Sequence, residues 1–214
     1  MSVHLRPEEI EAESFRIIDA EVGAHNWSAA EWTIVRRAVH TSADFDYVRD
    51  LVIAPTALDR GIAALRRGRT IVTDTRMAMA GITPARLEPF GIKVRCLVDD
   101  PLVAKSAKRL GVTRSLLAMR TAVQAEDVGI FVIGNAPTAL FELLRLIREE
   151  GVRPDLIVGL PVGFVGAAES KAELLAMAAE YQLPMITNRG RKGGSNVAAA
   201  VLNALLILAA GEAD

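Results

Sequence analysis

Five short runs of β-branched and aliphatic residues alternate with stretches long enough for helices. The runs are TIVTD (70–74), IKVRCLV (92–98), VGIFVIG (128–134), DLIVGL (155–160) and PMIT (184–187). Helices are expected near 55–67, 75–89, 101–124, 136–150, 169–181 and 195–210. Strands that are apolar throughout, separated by helices, specify a mostly parallel sheet covered on both faces. The expected fold class is therefore α/β: one doubly wound, Rossmann-like sheet of about five to six strands.

The first fifty residues lack that alternation. Ile10, Ser14, Ile17, Ile18 and Val22 recur at helical spacing, and Gly23 ends the run. A second helix is expected from Ser28, with Glu31 completing a capping box and Trp32, Val35 and Val39 as its apolar stripe. The expected organisation is a helical arm (1–50) and a sheet core (51–214) in one domain. A length of 214 residues, half of them hydrophobic, is enough to bury one core and argues against disorder.

Bulk properties exclude several partners. The formal net charge of −1 supplies no global field for nucleic acid. The charged start MSVHLRPEEIEAES has no apolar core of a signal peptide. VAAAVLNALLILAAG is too short and too alanine-rich for a membrane span, and reads as a buried helix. A cytoplasmic protein with no membrane partner is expected. Cys96 cannot form an internal disulfide. With no activating motif around it, it reads as a small core residue.

In doubly wound sheets ligands bind beyond the carboxyl ends of the strands. There the chain places TRMAMAG, NAPTALFELL, PVGFVGAAESKAELL and NRGRKGGSNVAAA, which hold most of its unusual residues. In GNAPTAL, Pro137 suits the first turn of a helix whose free N–H groups can hold an anion; an ordinary βα turn is the alternative. The glycines of GLPVGFVG allow close approach to a flat ligand, or equally tight packing on the next helix. GRKGGS sets cations beside the start of a long helix, with Ser195 or Asn196 as its cap. It reads as an anion site, with a solvated basic turn as the alternative.

Of three histidines, His4 and His25 read as surface residues. His40 closes the second helix on the same face as Arg37, where a protonated ring is favoured. It is either an acid/base group or a helix cap. No histidine, cysteine and carboxylate cluster has metal-ligand spacing, and no GxGxxG or phosphate loop occurs. A nucleotide- or sugar-phosphate-binding protein would need such a loop.

Taken together, IGNAPTALFELL, GLPVGFVGAAESK and RGRKGGSNVAAA resemble the hallmark blocks of the precorrin-8X methylmutase family of corrinoid biosynthesis. The resemblance extends through SFRIIDAE, RRAVHTSADFD, IVTDTRMAMAGI and TRS at 113–115, spanning about residues 8 to 208. HTSADFD and TDTRMAMAG are similar to the branch that acts on cobalt-precorrin-8. The resemblance implies an isomerase of cobalamin biosynthesis that moves a methyl group from C11 to C12 of the macrocycle, without cofactor or metal. His40 corresponds to the family's proton donor and acceptor, and Ser14 and Arg37 to its substrate-contacting serine and arginine. It also implies that Arg114, Arg191, Lys192 and Ser195 meet the carboxylate-fringed substrate; beyond the resemblance, the backbones of Asn135 and Gly163 are expected to join them. A homodimer is implied, with the apolar arm around Trp27 and Trp32 compatible with its interface. A corrinoid carrier that has lost catalysis is the alternative.

Overall fold

The computed structural model describes residues 6–211, so His4 lies outside the described residues. The chain opens with α1 (Pro7–Val22) and α2 (Ala29–Ser42). The expected capping box forms: the Ser28 hydroxyl accepts from the Glu31 N–H, and the Glu31 carboxylate accepts from the Ser28 N–H. The spacing in α1 serves two faces. Phe15 and Ile18 are buried, whereas Ile10 and Ile17 are exposed. Short helix α3 (Asp46–Asp50) leads into β1 (Leu51–Ile53). Five and three residues are too few for periodicity to declare a helix or a strand, so neither is legible in the sequence.

The repeating part then follows as α4 (Ala57–Arg66) and β2 (Thr70–Thr73). The helix expected over 75–89 is broken into α5 (Arg76–Gly81), α6 (Pro84–Leu87) and a 3₁₀ turn (Glu88–Phe90). Pro84 and Pro89 cannot donate to a continuous ladder. After β3 (Val94–Cys96), the helix expected over 101–124 is also two: α7 (Pro101–Leu110) and α8 (Arg114–Ala122). Gly111 turns left-handed at the end of α7, and the Thr113 hydroxyl caps α8 by accepting from Leu116 N–H. The chain continues through β4 (Val128–Ile133), α9 (Pro137–Glu150), β5 (Leu156–Gly159), α10 (Ala167–Tyr181), β6 (Met185–Asn188) and α11 (Ser195–Ala210).

The sheet has six strands in the order β1-β6-β5-β4-β2-β3. All pairs are parallel except β1 with β6, where Leu51 opposes Asn188 and Ile53 opposes Ile186. That one reversal matters for function. It brings the residues that precede β1, including the end of α2, to the edge where the parallel strands finish.

Helices cover both faces. On one, α11 packs against α2, α4 and α5 and over β4 and β5. On the other, α9 lies between α8 and α10. Strand β5 shows both contacts: a Cβ on Gly61 of α4 would touch Leu156, and one on Gly159 would meet Leu174 of α10. Helix α11 is buried almost throughout, with Val201, Leu202 and Leu205 fully enclosed. Each such side chain contributes roughly 1.5–3 kcal/mol, so the apolar C-terminal run is the central helix of the core. Cys96 is a half-buried free thiol on β3 rather than a core residue. Among the described residues no helix is long and apolar enough to cross a membrane.

Candidate active site

The strand order reverses between β2 and β4, the usual ligand crevice of a doubly wound sheet. Here the chain fills it. The buried carboxylate of Asp74, just after β2, accepts from the N–H groups of Gly134 (2.9 Å), Asn135 (2.8 Å) and Ala136 (2.7 Å). Burial pushes the Asp74 carboxyl up, and these three bonds oppose that rise. The start of α11 closes the rest. The Ser195 hydroxyl is bonded to Thr75 Oγ1 at 2.8 Å, and a Cβ on Gly134 would come 2.6 Å from the Ser195 Cα.

Two expectations are corrected by this geometry. The free N–H groups ahead of α9 do hold an anion, but the anion is Asp74. Ser195 does not cap α11: the N-cap is Gly194, with no side-chain cap bond, and Ser195 is the first helical residue. The Asn135 side chain remains exposed beside this sealed crevice.

The open part of the edge lies toward β6 and β1. In the loop between β6 and α11, Arg189, Gly190, Arg191 and Lys192 are exposed. Gly163 donates its N–H to the Arg191 carbonyl at 3.2 Å, and the Arg191 guanidinium stands 5.4 Å from the ring centre of Phe164. Phe164 and Val165 are 86% and 89% exposed, so this loop pair offers an apolar tip beside a cation. The glycines divide by role. A Cβ on Gly193 would stand 2.2 Å from the Leu160 carbonyl oxygen, whereas Gly163 and Gly190 face open space. Gly193 thus serves loop-to-loop packing, and Gly163 stands clear of other atoms.

Lys192 is already engaged. Its ammonium lies 2.6 Å from Asp44 and 2.5 Å from Asp46, which raises the lysine and lowers Asp46 from their ordinary pKa values. The Arg189 N–H donates to the Asp50 carbonyl at 2.8 Å, and Asn196 Nδ2 donates to the Thr41 carbonyl at 3.4 Å. These contacts lash the basic loop to the segment that follows His40.

His40 is exposed in the last turn of α2, which ends with Ala43 in the left-handed region. Its ring meets Phe15 edge-on with centroids 5.2 Å apart. Ser14, Ile18, His40, Ala43 and Phe45 line one open cleft of about 230 Å³. The Ser14 hydroxyl donates back to the Ile10 carbonyl at 2.8 Å and keeps its capacity to accept a hydrogen bond. One turn earlier on α2, Arg37 lies 5.1 Å over the Phe15 ring and pairs with Glu11 at 3.2 Å. The structure thus brings Arg37 and His40 together at Phe15, and Ser14 and His40 into one cleft.

Arg114 opens α8 on the far side of the sheet edge, 3.7 Å from Asp99. Arg76 reaches the same carboxylate at 2.6 Å. Nothing in TRMAMAG singles out Arg76. Nor does the sequence single out Asp74, because a carboxylate that ends a strand looks like any turn residue until its partners are known. His25 is exposed and stacks on Trp32. Trp27 and Trp32 are half-buried, their indole N–H groups held by the Val48 carbonyl and Asp19, so the exposed apolar residues of the arm are instead Ile10, Ile17 and Phe45.

Comparisons with known proteins give the family. The family profile described as precorrin-8X methylmutase matches residues 9–208. The chain is 47% identical over 205 residues to the cobalt-precorrin-8 methylmutase of Priestia megaterium, covering 96% of this chain and 89% of that protein. It is equally 47% identical over 205 residues to the cobalt-precorrin-8 methylmutase of Leptospira interrogans, covering 93% and 92%. Its backbone matches the crystal structure of precorrin-8X methylmutase from Thermus thermophilus with a TM-score of 0.86 and 40% identity, over 97% of this chain and 98% of that one. With the sheet, the helical arm and the sequence blocks matched along nearly its whole length, the chain belongs to the precorrin-8X methylmutase family.

Proposed function

We propose that this chain is an isomerase of cobalamin biosynthesis. It moves a methyl group from C11 to C12 of cobalt-precorrin-8, or of metal-free precorrin-8X, to give cobyrinate or hydrogenobyrinate. The observation that carries the reading is the exposed His40 in one cleft with Ser14, on a segment lashed to the basic loop by Lys192.

A methyl shift within one molecule needs no external donor and no net redox change. The protein must hold the macrocycle and move a proton. His40 supplies the proton, drawing electron density from the ring system as the methyl migrates; a positioned acid of this kind contributes roughly 10²–10⁴-fold. Ser14 orients substrate within the same cleft. Arg37, Arg191 and Arg114 meet peripheral carboxylates, for which the guanidinium fork is suited. Gly163 leaves space for the macrocycle plane. Lys192, Ser195 and the Asn135 backbone are bonded within the chain, so their part is to fix the walls.

The names of the two 47% identical relatives favour the cobalt-bearing substrate. We also infer a cytoplasmic, single-domain homodimer. Ile10 and Ile17 of α1 and Phe45 form an exposed apolar margin to the His40 cleft, and a second copy would cover it.

The test is an ultraviolet–visible titration of the protein with each substrate, followed over time. Evolution to the methyl-shifted corrin, faster with the cobalt form, is expected. Tight binding of both without spectral change would replace the isomerase with a corrinoid carrier.

A further inference from the structure

Lys171 is fully buried, and its position in the fold is unusual for an ammonium. It lies on α10, beneath the basic loop. Its Nζ donates to the Asn188 side-chain oxygen at 3.1 Å and to the Lys192 carbonyl. Asn188 Nδ2 donates to the same Lys192 carbonyl and to that of Arg189, each at 3.0 Å. Among the described residues no carboxylate pairs with Lys171. A buried ammonium held only by amide oxygens is a poor stabilising device, since desolvation is offset by hydrogen bonds alone. Burial accordingly pushes its pKa down to about 8.

What the ammonium does hold is the backbone of the loop. Lys192 is gripped at both ends: its carbonyl by Lys171 and Asn188 from within, its side chain by Asp44 and Asp46 from the arm. Gly190, Gly193 and Gly194 all have positive φ, so the loop has little stiffness of its own. Arg191 lies between these ties.

We propose that Lys171 is a positioning residue for the reaction: its buried ammonium anchors the 189–192 backbone so that Arg191 is presented to a substrate carboxylate. The inference rests on the reading of that loop as a carboxylate-binding wall. Lys171 itself touches no substrate.

The test compares wild type with Lys171→Met, Lys171→Arg and Arg191→Ala in the full chain. Two properties are read: KM and kcat with cobalt-precorrin-8, and the rate of tryptic cleavage after Arg189, Arg191 and Lys192. Lys171→Met is expected to raise KM about tenfold, the effect of losing one charge-assisted bond. The kcat should stay within about threefold, and loop cleavage should quicken about tenfold on the same grounds. Lys171→Arg, which keeps a donor, should recover part of both changes. Wild-type cleavage in Lys171→Met overturns the proposal, as does a loss of kcat at unchanged KM. If Arg191→Ala leaves KM unchanged while Lys171→Met quickens cleavage, the anchoring stands and the carboxylate reading of the loop fails. Should Lys171→Met not fold, Asn188→Ala removes the shared amide while keeping the lysine, and the same outcomes decide.

Discussion

The carboxylate of Asp74 lies 2.7 Å from the N–H of Ala136, the residue that opens α9, and occupies the crevice where doubly wound sheets ordinarily receive a ligand. An internal anion there completes the helix start and moves the open site toward β6 and the end of α2. Replacing it leaves three donors without their acceptor, two of them in the buried Gly134 and Ala136. Asp74→Ala should therefore destabilise the fold by roughly 3 kcal/mol, measured by urea unfolding. A loss below about 0.5 kcal/mol would mean that water replaces the carboxylate without penalty.

His40 is exposed and contacts Phe15 only at its ring edge, so removing it should leave the fold intact. His40→Ala should lower kcat by roughly 10²–10⁴-fold while substrate still binds. Single-turnover absorbance kinetics separate these two steps. Wild-type turnover in this variant would make His40 a helix cap and no more.

Gly193 tests the packing of the two loops. An added Cβ would lie 2.2 Å from the Leu160 carbonyl oxygen and 2.8 Å from that of Pro161. Both are backbone atoms that cannot rotate away. Gly193→Ala should cost about 2 kcal/mol or more and raise KM, because the loop must shift to relieve the contact. Unchanged melting temperature and KM together would show that the loop accommodates a side chain freely.

Lys171 makes a signed prediction about pH. Its pKa falls from an ordinary 10.5 in the unfolded chain to about 8 in the fold. Between those values the unfolded chain binds more protons, so this group makes stability rise with pH, by at most about 1.4 kcal/mol per unit. Lys171→Met should lack that rise and should match or exceed wild-type stability near neutrality. Denaturant titrations of both proteins from pH 7 to 10.5 will show it; parallel curves would place Lys171 in water-accessible surroundings.

Much of this protein is local in the sequence. Ser28 and Glu31 announce their capping box, and the uncharged run after Ser195 can only be a buried helix. Alternating apolar runs specify the parallel sheet, because each strand must hide both faces. His40, Ser14 and the basic loop were legible as residue types that suit a carboxylate-rich ligand, once the long blocks around them were taken together.

Other features depend on partners far away in the chain. Strand β1 is only three residues long and becomes a strand by pairing with β6; its antiparallel direction then delivers His40 to the carboxyl edge. Asp74 is one carboxylate among many until Gly134, Asn135 and Ala136 aim their N–H groups at it. Lys192 looks like a free cation until Asp44 and Asp46, nearly 150 positions earlier, claim it. The fold class, the central helix and the chemistry available to the site can be read from neighbouring residues, because propensity, capping and hydrophobic period act over short stretches of chain. Which charges are paired inside the chain and which stay exposed depends on the folded arrangement, because hydrogen bonds and ion pairs form between whatever groups the closed core brings within about 3 Å.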